Sequence, residues 1–398
     1  MIKIIESDKV SPKDIFLRNR LMPDVSAAVA EIISNVRENG DYALLEYCLK
    51  FDGVRPDPLE VSDEERRTAL GSVEPEFIEI LREAAENIKD YHARQVKNSY
   101  IISDKDGIVL GQKVIPLERA GLYIPGGTAS YPSSVLMNCI PAKIAGVSEI
   151  VIATPPDRTG NINPNIIAAA EIAGADRIIK CGGAQAVAAL AFGTESVPKV
   201  DKIVGPGNIF VAEAKRQVFG AVAIDMIAGP SEILVIADEK SDPAVLAADM
   251  LSQAEHDKLA SAVLVTYSAE LAQKVAKEIE MQLTELPREE IARASIENNG
   301  KIIITKNIEE AIEIANGIAP EHLELCVDEP FEYLNRITNA GSIFLGRNCP
   351  EALGDYFAGT NHTLPTNGTA RFSSPLSVDD FVKKSSYMYY SKDALNAV

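Results

Sequence analysis

The chain has 398 residues, of which 46% are hydrophobic and 24% charged, with four histidines, five cysteines and no tryptophan. That is enough apolar material for at least two cores of ordinary domain size, and apolar stretches such as 166–173 are broken, here by Glu171, well short of the ~20 residues a membrane span needs. A formal net charge of −19 excludes the basic footprint that nucleic acid or an anionic lipid surface demands.

The N-terminus, Met1-Ile2-Lys3-Ile4-Ile5-Glu6, has no signal-peptide apolar region, so a cytoplasmic protein is expected. Cys48, Cys139, Cys181, Cys326 and Cys349 are odd in number, widely spaced and without a CxxC pair, which indicates neither a disulfide framework nor a thiolate zinc site. They read as buried or incidental thiols.

In chain order, Val29, Ile32, Ile33 and Val36 recur at helical spacing after Asp24, and Gly40 closes the pattern. Ser62-Asp63-Glu64-Glu65 is a capping-box pattern that opens a second helix. A third is predicted over 75–94, where His92 stands among charged and polar neighbours and reads as a surface residue. From about residue 120, β-prone runs at 149–154, 177–180, 202–204 and 232–237 alternate with alanine-rich helical stretches at 166–173, 184–192 and 208–219. This is the βαβ rhythm of a parallel sheet covered by helices on both faces. A helix from Pro243 then precedes strands at 261–267, 301–305, 323–327 and 342–345, so the chain is α/β with two domains. No short-period repeat or low-complexity tract interrupts it.

With four histidines in 398 residues, few groups can shuttle protons near neutral pH, and their positions carry weight. Asp242 and Pro243 suit the start of one helix reaching His256, on which Gln253 lies almost in line with Leu246 and near Met250, facing inward. A Gln253/His256 pair there fits either a satisfied core hydrogen bond or a metal site. Glu321 and His322 stand side by side on a loop leading into a strand, where imidazole suits proton removal and a partly buried carboxylate suits water activation; an exposed dipeptide without a role also fits. Between Gly354 and His362 a glycine-punctuated loop holds Asp355 and His362, able to ligate a metal and grip a substrate, or to form a structural turn.

Glycine-rich turns at Tyr123 to Thr128, Cys181 to Gln185 and Val204 to Asn208 present N–H groups where anions bind well. None fits GxGxxG or GxxxxGK[ST], so neither a standard dinucleotide fingerprint nor a P-loop is present.

Taken together, Gly121-Leu122-Tyr123-Ile124-Pro125-Gly126-Gly127, Val204-Gly205-Pro206-Gly207-Asn208, Gly229-Pro230-Ser231-Glu232, the segment 252–257, the segment 319–323 and the segment 354–365 resemble the histidinol dehydrogenase family over nearly the whole chain. The resemblance implies two Rossmann-like parallel-sheet domains with an incomplete dinucleotide fold: an N-terminal extension over 1–16, a main domain of 17–122 and 233–376 carrying metal and catalytic residues, an inserted NAD-binding domain over 123–232, and the start of a C-terminal arm over 377–398. It implies a zinc-containing, NAD-dependent homodimer with shared active sites that oxidises L-histidinol through L-histidinaldehyde to L-histidine, the last step of histidine biosynthesis.

Residue by residue, the resemblance assigns zinc to Gln253, His256 and Asp355, and NAD contacts to Tyr123, Gln185 and Asn208. Substrate falls to Ser231, Gln253, His256, His322, Asp355 and His362, and acid/base work to Glu321 and His322. Family members continue past the position of Val398 into a tail with one more substrate glutamate and one more zinc histidine; neither is among these 398 residues. Competing expectations are a paralogue that oxidises another amino alcohol or diol, a zinc-dependent hydrolase, and an inactive metal-binding protein.

Overall fold

A computed structural model describes residues 1–11, 15–16, 23–126 and 131–398, so the Gly127-Thr128 end of the first glycine-rich turn lies outside the described residues. The chain forms two compact units, one of residues 1–24, 228–358 and 364–375, the other of 25–227, 359–363 and 376–398. Among the described residues no helix is long and apolar enough to cross a membrane.

The first unit is built on β1 (Lys3–Glu6), β9 (Glu232–Ala237), β10 (Ser261–Thr266), β11 (Lys301–Ile304), β12 (His322–Cys326) and β13 (Ser342–Leu345). They lie in the order β1-β11-β10-β9-β12-β13, all parallel. Their near-continuous apolar runs follow from burial on both faces. Side chains of a strand alternate between faces, and on β9 Ile233, Val235 and Ala237 enter one core with Leu246, Met250 and Leu271, while Leu234 and Ile236 enter another with Ile312 and Ala315. The helix Pro243–Ala254 starts where the sequence placed it, with the Asp242 carboxylate accepting from Ala244 N at 2.9 Å. It ends at Ala254, so His256 sits just past it rather than inside it.

The second unit holds β4 (Arg119–Tyr123), β5 (Glu149–Thr154), β6 (Arg177–Lys180), β7 (Lys202–Val204) and β8 (Ala223–Ile224) in a parallel sheet of order β6-β5-β4-β7-β8. Counted along the chain, both parallel sheets run third, second, first, fourth, fifth, with β1 added beyond β11 in the first unit. This is the doubly wound order that leaves a crevice where the winding reverses. A further antiparallel sheet joins β14 (Val382–Tyr390), β3 (Ile108–Pro116) and β2 (Tyr100–Lys105).

Residues 25–122 group with 123–227, whereas the resemblance joined 17–122 to the other domain. The cause is packing: Val29, Ile32, Val36 and Leu44 share a core with Val187, Leu190 and Val211, and Val61 N donates to Ile178 O at the edge of the sheet. The first helix does not stop at Gly40 but kinks there, at φ 54° and ψ −134°, and continues to Asp52.

His92 is fully buried, not on the surface. Its sequence neighbours are polar, yet helical periodicity sets it on the stripe of Leu81, Ala85 and Ile88, and Nδ1 meets Gln95 Oε1 at 2.7 Å.

Candidate active site

In the first unit the chemistry collects at the amino ends of neighbouring strands β9 and β12. His322 is the first residue of β12, opposite Ile233 of β9 and Ser342 of β13, so the imidazole projects from the sheet itself and not from a loop. Its Nδ1 lies 3.0 Å from the carbonyl of Glu232. A carbonyl only accepts, so Nδ1 carries a proton and, in the neutral ring, Nε2 is the basic atom. Nε2 lies 3.2 Å from Asp355 Oδ1. Glu321 is 7% exposed and its Oε2 accepts from Glu232 N at 2.8 Å, so one residue's main chain holds both neighbours.

Electrostatics set the two groups apart. Burial pushes the Glu321 carboxyl up to about 8, against the pull of His322 and of the Glu232 N–H. For His322 burial works against the charged ring, but the charges of Asp355 and Glu321 and the Asp355 hydrogen bond outweigh it and raise the ring to about 10. Both groups can therefore hold a proton at neutral pH, and both have a fixed partner for the other protonation state.

Asp355 lies on the short helix Glu351–Tyr356, correcting the expected loop, and stands one helical turn from Glu351. Glu351 is pushed up to about 7, by burial first and then by Asp355. Ser252 Oγ donates to Glu351 Oε2 at 3.1 Å, joining this helix to the one carrying Gln253. Behind them Glu324 accepts from Glu351 N at 2.9 Å and is raised to about 8, by burial and then by Asp249. Ligand atoms of His322, Glu351 and Asp355 lie within 4.8 Å of one another. The sequence reading missed Glu351 and Glu324; a carboxylate four residues before Asp355 on a helix was the available signal for Glu351.

Gln253 is 1% exposed, and among the described residues its Nε2 is buried without a hydrogen-bond partner. A buried amide N–H group without a partner is costly, and the same side chain carries an oxygen of the kind that ligates cations. Burial lowers the pKa of His256 despite the charges of Asp355 and Glu255, which favours the neutral, ligating ring. Amide, neutral imidazole and carboxylate are each donor types that a borderline cation such as zinc accepts, and the charge of Asp355 acts on the His256 ring. Ser231, immediately before β9, accepts from Ser261 N through its carbonyl at 3.0 Å.

In the second unit, Tyr123 ends β4, Gln185 follows β6 and Asn208 follows β7, all at the carboxyl edge of the sheet where β4 and β7 mark the reversal of winding. The Tyr123 hydroxyl, raised to about 12 by burial, accepts from Gly183 N at 3.0 Å. Gln185 is buried in the first turn of the helix Gly183–Phe192. Asn208 caps the helix Ile209–Val218, its Oδ1 accepting from Phe210 N and Val211 N. His362 belongs to this unit too, with Nε2 3.0 Å from Ser134 Oγ, while flanking Asn361 and Thr363 bond Met137 O and Asn138 Oδ1.

The histidinol dehydrogenase family model matches residues 18–398. A histidinol dehydrogenase of Clostridium acetobutylicum is 60% identical over 94% of this chain and 87% of its own length, and one of Bacillus cereus is 59% identical over 96% and 88%. The crystal structure of a histidinol dehydrogenase from Elizabethkingia anophelis superposes with a TM-score of 0.94 at 40% identity, covering 100% of this chain and 92% of that one. An acetylating aldehyde dehydrogenase from Geobacillus thermoglucosidasius, at 15% identity, 93% and 99% coverage and a TM-score of 0.51, shares the fold alone.

Proposed function

The chain belongs to the histidinol dehydrogenase family, and from that premise we propose that it oxidises L-histidinol with NAD through L-histidinaldehyde to L-histidine, the last step of histidine biosynthesis, as a cytoplasmic homodimer with shared active sites. The observation that carries the reading is the Glu321–His322 pair, an acid and a base locked to one main-chain residue, with the Asp355 carboxylate at Nε2 of His322. Five free thiols suit a reducing compartment.

In its neutral form, which a pKa raised to about 10 favours toward alkaline pH, His322 takes the proton of the substrate alcohol at Nε2, while its Nδ1–H stays on the Glu232 carbonyl and Asp355 faces the resulting N–H. NAD supplies the hydride acceptor at each of the two oxidations. Glu321 then serves the second half-reaction, removing a proton from the water that hydrates the aldehyde. Its raised pKa of about 8 makes its carboxylate a stronger base than an exposed glutamate. Two proton transfers need two groups, and the chain places them side by side.

Gln253, His256 and Asp355 would hold zinc, which when bound would supply a template for the nitrogen donors of the substrate. Ser231, His322 and His362 complete the substrate contacts, and Tyr123, Gln185 and Asn208 are assigned to NAD, in the domain spanning 123–232. The test is NADH formation on adding L-histidinol and zinc to the protein with the family's C-terminal segment present. Two NADH per histidinol are expected; no NADH overturns the reading.

A further inference from the structure

We propose that the buried Lys215–Asp225 pair is a positioning device that sets the Gly205–Asn208 turn for dinucleotide binding. The proposal rests on the reading of Tyr123 and Asn208 as NAD contacts and names two residues that the reading does not include.

The two side chains are 1% and 3% exposed, an enclosed ion pair on the underside of the turn. Lys215 Nζ pairs with Asp225 Oδ1 and donates to the carbonyl of Gly205 at 2.9 Å. The other Asp225 oxygen accepts from Gly205 N at 2.7 Å, and Oδ1 also accepts from Met226 N at 2.6 Å. Both main-chain groups of Gly205 are thus taken by one salt bridge. Gly205 has φ +110°, and a Cβ there would lie 2.1 Å from the carbonyl oxygen of Tyr123. The pair therefore fixes the turn directly against the end of β4.

Lys215 sits two turns along the helix that Asn208 caps, so the same side chain ties the helix to the start of the turn. Because the Asn208 Oδ1 is spent on capping, only its amide N–H group is left to face a ligand, and where it points depends on the turn behind it. An enclosed charge pair is a poor way to gain stability, since apolar residues of similar volume do as well or better. What it supplies is a fixed direction for the two Gly205 main-chain groups.

The test compares wild type with the double variant Lys215→Met, Asp225→Asn, which leaves no unpaired buried charge. Folding is checked by circular dichroism, NADH affinity by fluorescence titration, and steady-state constants by activity with L-histidinol and zinc. The expected result is a rise of roughly 10-fold or more in the KM for NAD and in the Kd for NADH, with kcat at saturating NAD and the KM for histidinol within about twofold. If the double variant fails to fold, Lys215→Gln with Asp225→Asn, which again leaves no unpaired buried charge and keeps an acceptor for Gly205 N, is read by the same criteria.

A folded variant that binds NADH like wild type overturns the proposal. So does a loss spread equally over kcat and both KM values, the signature of general loosening. A wild-type protein that does not bind NADH overturns the dinucleotide reading itself, a result seen before any variant is made.

Discussion

The imidazole of His322 is bound to the main chain of Glu232, whose carbonyl takes the Nδ1 proton while its N–H donates to Glu321. Parallel pairing of β12 with β9 brings this about, because it sets His322 opposite Ile233 and leaves Glu232 one residue back beside the pair. Both side chains thereby inherit the rigidity of a central sheet.

That arrangement separates the half-reactions. Glu321→Gln keeps an acceptor for the Glu232 N–H and should spare alcohol oxidation while slowing aldehyde oxidation by ~10²–10⁴-fold, and His322→Ala should slow both. Supplying histidinol or histidinaldehyde separately in single-turnover assays measures this; equal loss of both steps in Glu321→Gln would contradict the division.

The orphan amide of Gln253 implies a trade between stability and metal. Gln253→Met removes a buried unsatisfied group and should stabilise the metal-free protein by about 1 kcal/mol, while zinc affinity falls by at least the ~10–100-fold that loss of even an outer partner costs. Urea unfolding in chelator and metal analysis after dialysis read the two effects, and a variant that retains zinc like wild type rejects Gln253 as a ligand.

Buried acids behind the site give the metal-free protein a defined pH slope. The Glu324 carboxyl, pushed up to about 8, keeps in the folded chain a proton that the unfolded chain releases in the ordinary carboxylate range. The folded state binds more protons across that window, so stability should fall as pH rises from about 4.5 to about 8. Raised to about 10, His322 continues the same slope above its ordinary 6.5. Glu324→Gln should flatten the lower part by on the order of 2 kcal/mol between pH 5 and 8, measured by urea unfolding in chelator.

Gly341 packs against the acid from behind. A Cβ there would lie 2.5 Å from the Glu321 carbonyl oxygen, in a stretch where Gly341 N donates to Pro320 O and Ser342 N to Glu321 O. Gly341→Ala should shift the Glu321 main chain, lowering kcat by up to ~10²-fold at a stability cost of about 1–3 kcal/mol. An unchanged kcat would mean that the acid tolerates movement.

Much of this molecule was legible beforehand because it is periodic. Strands such as 149–154 and 232–237 are continuous apolar runs bounded by turn residues, and their ends fall where the pattern changes. The family assignment followed from ordered short motifs, which survive where global composition says little.

What escaped was set by tertiary context. β2 is exposed along its whole length and β14 nearly so, and neither carries the apolar signature of a buried strand. His92 was judged by its sequence neighbours rather than by its helical face. Glu232 escaped because it acts through its main chain, which no side-chain pattern announces.

Glu321 and His322 stand at the starting ends of β9 and β12, whereas past the finishing ends of β9, β12 and β13 lie Asp238, Asp328 and Arg347 in an ion-pair network. A six-residue strand is about 20 Å long, so that far rim is a place to attach a fluorophore or a surface tether while leaving turnover intact.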